Sequence, residues 1–204
     1  QRPMIELNTA GPEAALLTPK ITMQASKLFG HRVGGVVRCG KYMLTAVDEG
    51  TIWVWNVQTM EVERKLLATD SREGAWVRPM LLLPSMKEGN GRGKKTSRGT
   101  LVTGWADGAV RVFDMDTWKL VKTLYSHSGP VLALVNVGGH IISTGADMTA
   151  NEWDPATWTI TRSFRGHMGA VSAAVGGLGD EVLTASLDGF LKLWPAAIAD
   201  CHAA

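Results

Sequence analysis

The chain has 204 residues, 45% hydrophobic and 20% charged, with 23 glycines and 8 tryptophans beside only 2 tyrosines and 4 phenylalanines. That is enough apolar material for one large domain or two small ones, and it excludes a disordered chain; the net charge of +2 excludes a whole-surface nucleic-acid binder. Two cysteines, Cys39 and Cys201, make no disulfide framework, no apolar run approaches 18 residues and no basic-then-apolar leader is read, so a cytoplasmic (intracellular) compartment is the expectation.

The first predicted element is a strand at 20–28, inside an N-terminal segment 1–26 that runs into it. Counted back from His31, it aligns with 116–124 and 156–164, which hold the last strands of later units. It is an outer strand without a unit of its own. Four units follow, and their cores are the segments 44–56, 102–114, 142–154 and 183–195. Each has an acid six positions before an aromatic: Glu49/Trp55, Asp107/Phe113, Asp147/Trp153 and Asp188/Trp194. Each has a hydroxyl four positions before the acid: Thr45, Thr103, Ser143 and Thr184. Asp-Gly or Asp-Met-Thr is tight-turn chemistry, and the flanking Val, Ile, Leu, Thr and aromatic residues suit a pleated, half-buried surface. A further strand follows each of the first three pairs, and Trp118 and Trp158 mark its start in units two and three. Nine residues later stand His127 and His167, and another apolar strand then opens. One unit is thus four short antiparallel strands over about 40 residues, a period that belongs to propeller blades.

These segments resemble WD40 repeats. Ser126-His127, Gly166-His167, the acid turns and the Trp-Asp or Trp-Pro endings carry the likeness. It covers 27–194 in four repeats, about 27–66, 67–124, 125–164 and 165–194, with 195–204 as a tail. The resemblance implies an all-β, WD40-type β-propeller of four four-stranded antiparallel blades. Four blades lie at the lower limit for this architecture, and the chain starts at Gln1, so a piece of a larger propeller is the favoured reading; closure by strand 20–28, or by a second copy, is the other. The resemblance also implies a hydrogen-bonded set within each blade: His127/Ser143/Asp147/Trp153, His167/Thr184/Asp188/Trp194 and a partial His31/Thr45/Glu49/Trp55. Unit two departs from the pattern. It has Phe113 for Trp, and Asp70 or Glu73 near the place of the His.

Ser, His and Asp together are also the raw material of a hydrolytic triad, but one set per repeat is the signature of structure. Other chemistry is not legible. Gly93-Lys94-Lys95-Thr96 lacks the spacing of a phosphate loop, the histidines show no zinc pattern, and no hydrolase or metalloprotease motif occurs. No catalytic, cofactor or metal site is expected. A basic insertion at 85–99 holds Lys87, Arg92, Lys94, Lys95 and Arg98 against Glu88, a net of +4 that leaves −2 for the rest. It reads as a solvated loop, or as a contact for anionic lipid or nucleic acid. The resemblance implies a protein or peptide partner on the face of the tight turns, with Asp48, Ala106, Ala146, Leu187 and Trp76 as its candidates. Trp53 and Trp105 fall outside the repeat pattern, exposed or core. Short likenesses at 127–132 and 191–195 to regions that precede inositol-polyphosphate 5-phosphatase domains give a further reading, the targeting segment of a larger enzyme.

Overall fold

A computed structural model describes residues 33–47, 50–68, 76–84 and 98–195, which form antiparallel sheets stacked in chain order. The first sheet comprises β1 (Val33–Cys39), β2 (Tyr42–Val47), β3 (Thr51–Asn56) and β4 (Val62–Leu67). The second comprises β5 (Val77–Leu83), β6 (Thr100–Trp105), β7 (Ala109–Asp114) and β8 (Lys119–Tyr125). The third comprises β9 (Val131–Val137), β10 (His140–Gly145), β11 (Thr149–Asp154) and β12 (Thr159–Arg165). The fourth holds β13 (Val171–Gly176), β14 (Val182–Ser186) and β15 (Leu191–Trp194), three strands among the described residues. Every sheet runs in sequence order, so each is one up-and-down blade. The expected strand at 20–28 and most of the basic insertion, which lies on the β5–β6 connection, fall outside the described residues.

Local chemistry sets both kinds of turn. Between the second and third strands, Asp107, Asp147 and Asp188 each accept the amide hydrogen two residues on, at 3.1, 3.2 and 2.9 Å. The intervening residue is left-handed: Gly108 at φ 83°, Met148 at 67° and Gly189 at 86°. Glycine is required at 108 for a second reason, since a Cβ there would lie 2.1 Å from the His127 carbonyl oxygen. Between the third and fourth strands, Asn56, Asp114 and Asp154 cap the turn by accepting the amide at i+2. The turn ends on a left-handed non-glycine residue, Met60, Trp118 or Trp158, at φ 59°, 61° and 62°. Trp118 and Trp158 therefore stand in the turn just before β8 and β12 rather than within the strands. Their rings pack into the clusters between blades.

Strand register gives each blade two faces. The forward face of one blade packs on the rear face of the next. Leu44, Ala46, Ile52 and Val54 of the first blade meet Val77, Leu101, Trp105 and Phe113 of the second. Val102 and Val110 of the second meet Val131, Leu134, Ile141 and Trp153 of the third. Ile142 and Ala150 of the third meet Ala174 and Val182 of the fourth. The inner strands pack successively, β1 on β5, β5 on β9 and β9 on β13. Among the described residues no comparable packing joins β13 back to β1, so the blades form an open arc. Trp53 and Trp105 are both buried.

Candidate functional site

The polar residues singled out in the repeats lie on the rear faces, where sheet meets turn. In the third blade, β10 carries Ser143, fully buried between the other members of its set. Trp153 Nε1 donates to Ser143 Oγ at 2.9 Å, and His127 Nε2 lies 2.8 Å from the same oxygen. His127 Nδ1 faces the Asp147 carboxylate at 3.0 and 3.1 Å. These partners fix the protons. The indole hydrogen occupies one lone pair of Ser143, the hydroxyl hydrogen goes to His127 Nε2, and the Nδ1 hydrogen is donated to Asp147. The fourth blade repeats this with threonine. Trp194 Nε1 donates to Thr184 Oγ1 at 2.9 Å, His167 Nε2 lies 2.8 Å from it, and His167 Nδ1 lies 2.8 Å from Asp188. In the first blade Trp55 Nε1 donates to Thr45 Oγ1 at 2.8 Å; His31 and Glu49 lie outside the described residues.

The second blade fills the same place with other side chains. Thr103 Oγ1 accepts from Trp105 Nε1 at 2.8 Å, from its own strand rather than from the third. Phe113 keeps only the packing role. Arg111, fully buried, donates to Asp107 at 3.1 and 2.7 Å, and its guanidinium lies 4.5 Å from the Trp105 ring centre. Arg111 and Trp105 are thus the pair the motif reading missed. The available signal was a basic residue opposite Thr103 on the neighbouring strand, beside an acid turn with no histidine.

Electrostatics agree with the geometry. Burial alone would raise the Asp147 pKa, but hydrogen bonds from His127, Thr149 and the Ser128 amide outweigh it and hold the carboxyl below its ordinary value. At Asp188 burial is outweighed by the Met168 and Phe190 amides and by His167. At Asp107 it is outweighed by Arg111 and the Ala109 amide. The order Asp–His–hydroxyl is that of a nucleophilic triad, yet it cannot act as one here. Ser143 and Thr184 are buried, their oxygens are already engaged by tryptophan, and no substrate atom can approach them. Cys39 is no better a nucleophile: it is buried, and burial pushes its thiol up. Among the described residues no group of three His, Cys, Asp or Glu side chains could hold a metal ion.

The expected partner-face residues sit as follows. Trp76 is half-buried just before β5, with the Arg78 guanidinium 4.6 Å from its ring centre. Its carbonyl accepts the Ala106 amide at 2.9 Å, which ties it to the β6–β7 turn. Ala106 and Ala146 are half-buried, Leu187 is exposed, and Asp48 lies outside the described residues. Of the basic residues in the insertion only Arg98 is described. Its guanidinium lies 5.5 Å from both the Tyr42 and Trp118 ring centres and donates to the Met115 carbonyl. Lys87, Arg92, Lys94 and Lys95 lie outside the described residues.

A family model described as WD domain, G-beta repeat matches residues 118–154 and 158–195. The chain matches no curated protein. It is similar to the crystal structure of the computationally designed Ika4 protein, with TM-score 0.63 and 23% identity over 81% of this chain and 91% of that one. It is also similar to the computationally designed Ika8 protein, with TM-score 0.62 and 23% identity over 79% of this chain and 45% of that one. Those likenesses show the fold. Two matched repeats within an all-β arc of blades support a WD40-repeat family for this chain.

Proposed function

We propose that the chain is a non-catalytic scaffold that binds a protein or peptide through the face carrying the turns between second and third strands. WD40 repeats are in general protein-interaction scaffolds. One observation carries the reading here. On that face Leu187 is 77% exposed and Met168 is 88% exposed, while the polar groups directly beneath them are saturated by one another. Apolar side chains held on a rigid turn, with nothing reactive below, suit recognition rather than chemistry. The half-buried Trp76, with its ring already against Arg78, extends the same face.

Two other expectations have less behind them. An enzyme-targeting role beside a phosphoinositide phosphatase domain rests on two short likenesses alone. A lipid or nucleic-acid contact rests on the 85–99 insertion, whose one described basic residue is already stacked on aromatic rings. Peptide-display selection against the whole chain tests the main reading. Enriched peptides should lose binding to Leu187→Asp and Met168→Asp variants that melt like the parent. Enrichment of none, or of peptides indifferent to both changes, refutes it.

A further inference from the structure

In the first three blades the third strand is covered by a fourth: β3 by β4, β7 by β8 and β11 by β12. In the fourth blade β15 is the edge strand among the described residues. The Phe190 carbonyl accepts the Ser186 amide hydrogen at 3.2 Å. By strand alternation Leu191 and Leu193 therefore turn their amide and carbonyl groups away from β14, toward the open edge. Their side chains share one face with Val175, and that face is apolar and open: Leu191 is 70% exposed, Leu193 58% and Val175 55%.

The three complete blades show what a strand on that edge has to carry. Opposite Ile52, Val110 and Ala150 stand Leu66, Leu124 and Phe164, each packed into a core cluster. Leu191 holds the corresponding register in the fourth blade, paired with Ala185 just after the repeat hydroxyl Thr184. The next residue of the third strand lies opposite the hydroxyl itself, and in two blades its side chain is engaged by the fourth strand. The Lys65 ammonium lies 4.2 Å from the Trp53 ring centre, and Ser163 Oγ donates to Asn151 Oδ1 at 2.7 Å. In the fourth blade this residue is Lys192, and among the described residues no carboxylate pairs with its ammonium. An acid is the complement this edge lacks. The chain's own sequences supply a cation there instead. Aligned as 156–164 are, segment 20–28 sets Lys27 opposite Lys192, and two copies paired edge to edge about Lys192 set that lysine against its counterpart. Like charges directly opposite destabilise a strand pair.

We propose that β15 accepts an extended segment of another protein as the fourth strand of its blade, with an acidic residue opposite Lys192 and apolar residues on either side, opposite Leu191 and Leu193. The outward amides and carbonyls of the two leucines hold the backbone of the segment, and burial of their side chains adds affinity. Lys192 turns its own backbone toward β14, so it meets the acid in a non-hydrogen-bonded pair, where opposed side chains stand closest. This site is a sheet edge, independent of the binding proposed for the turn face.

Fluorescence polarisation on the whole chain tests this with the labelled peptide Ser-Thr-Val-Glu-Phe-Thr-Ser, which places Glu opposite Lys192. It should bind saturably with a Kd of roughly 100 µM. Replacing its Glu by Lys should weaken binding about tenfold or more, and that difference should shrink at high salt. Leu193→Pro removes an outward amide and leaves the ladder to β14 intact, so it should also weaken binding about tenfold or more. Leu191→Lys serves in its place if Leu193→Pro melts below the parent. Amide hydrogen exchange at Leu191 and Leu193 should slow when the peptide is added. Leu187→Asp and Met168→Asp should bind the peptide like the parent, which separates this site from the turn face. Absence of binding up to about 1 mM overturns the proposal. So does a Kd unmoved by the edge variants or by the exchange of Glu for Lys, or a loss of binding in the turn-face variants.

Discussion

Replacing Ser143 by Ala removes one oxygen and almost no volume, so it isolates the hydrogen-bond contribution from packing. It strands two buried groups: Trp153 Nε1, which donated at 2.9 Å, and His127 Nε2, which accepted from the hydroxyl at 2.8 Å. Each lost bond is worth about 1 kcal/mol net, and a buried partner left unsatisfied costs about 1–3 kcal/mol. Neither group has a good alternative. Asn151 Nδ2 lies 3.4 Å from His127 Nε2, at the far edge of bonding distance. The expected loss is therefore about 2–4 kcal/mol, which corresponds to a fall in Tm of roughly 5–15 °C for a chain of this size. Urea unfolding followed by tryptophan fluorescence gives the value, provided the slope with denaturant is unchanged. Trp153→Phe should cost a comparable amount, and the double variant should cost less than the sum by about 1 kcal/mol, because both single changes break the same bond. A loss below about 0.5 kcal/mol for Ser143→Ala would refute the structural role of the set.

Four other outcomes follow from the same structure. Arg111→Met leaves Asp107 buried without its cation and should destabilise by about 3–5 kcal/mol, with Asp107→Asn in the same chain restoring part of that in thermal melts. Met148→Gly relieves a left-handed non-glycine backbone at a side chain that is already half in solvent, and should stabilise by about 0.5–1 kcal/mol in the same assay. Gly35→Ala drives a Cβ to 2.3 Å from the Arg78 carbonyl oxygen, where β1 and β5 pass closely, and should destabilise by about 1–3 kcal/mol. Asp107, Asp147 and Asp188 are all depressed in the folded state, so their contribution is complete above the unfolded aspartate value near ~4 and is lost as pH falls through the lower folded values; Tm should drop as pH falls below about 4, and Asp147→Asn should make that drop shallower.

Much of this arrangement was legible in the sequence because turn and hydrogen-bond chemistry restrict identity. An aspartate that must accept two backbone amides, and a hydroxyl that must accept an indole hydrogen, leave few substitutes, so they recur at fixed spacing. The second blade was illegible for the converse reason. Its need is for a donor to Thr103 and a cation-like partner to Asp107, and a different strand can supply either. Trp105 reaches Thr103 from two residues away on β6, whereas the pattern looks for an aromatic on β7. Arg111 reaches Asp107 from β7, whereas the pattern looks for a histidine in the preceding loop.

The substitutions among blades also decide what the polar sets are for. A hydroxyl poised for nucleophilic attack must keep a base, an accessible oxygen and a free trajectory. The hydroxyl here is serine in one blade and threonine in three. Its histidine gives way to a system built on Arg111, which is always charged and cannot serve as a base. Its indole donor arrives from β3, β6, β11 or β15. What survives every exchange is a hydroxyl oxygen that receives an indole hydrogen, with the neighbouring acid engaged wherever the turn is described. That constant is saturation of buried polar atoms at the seam between sheet and turn. The seam is what holds Met168 and Leu187 rigidly outward, so the sets act on binding through the stiffness of the turns they anchor.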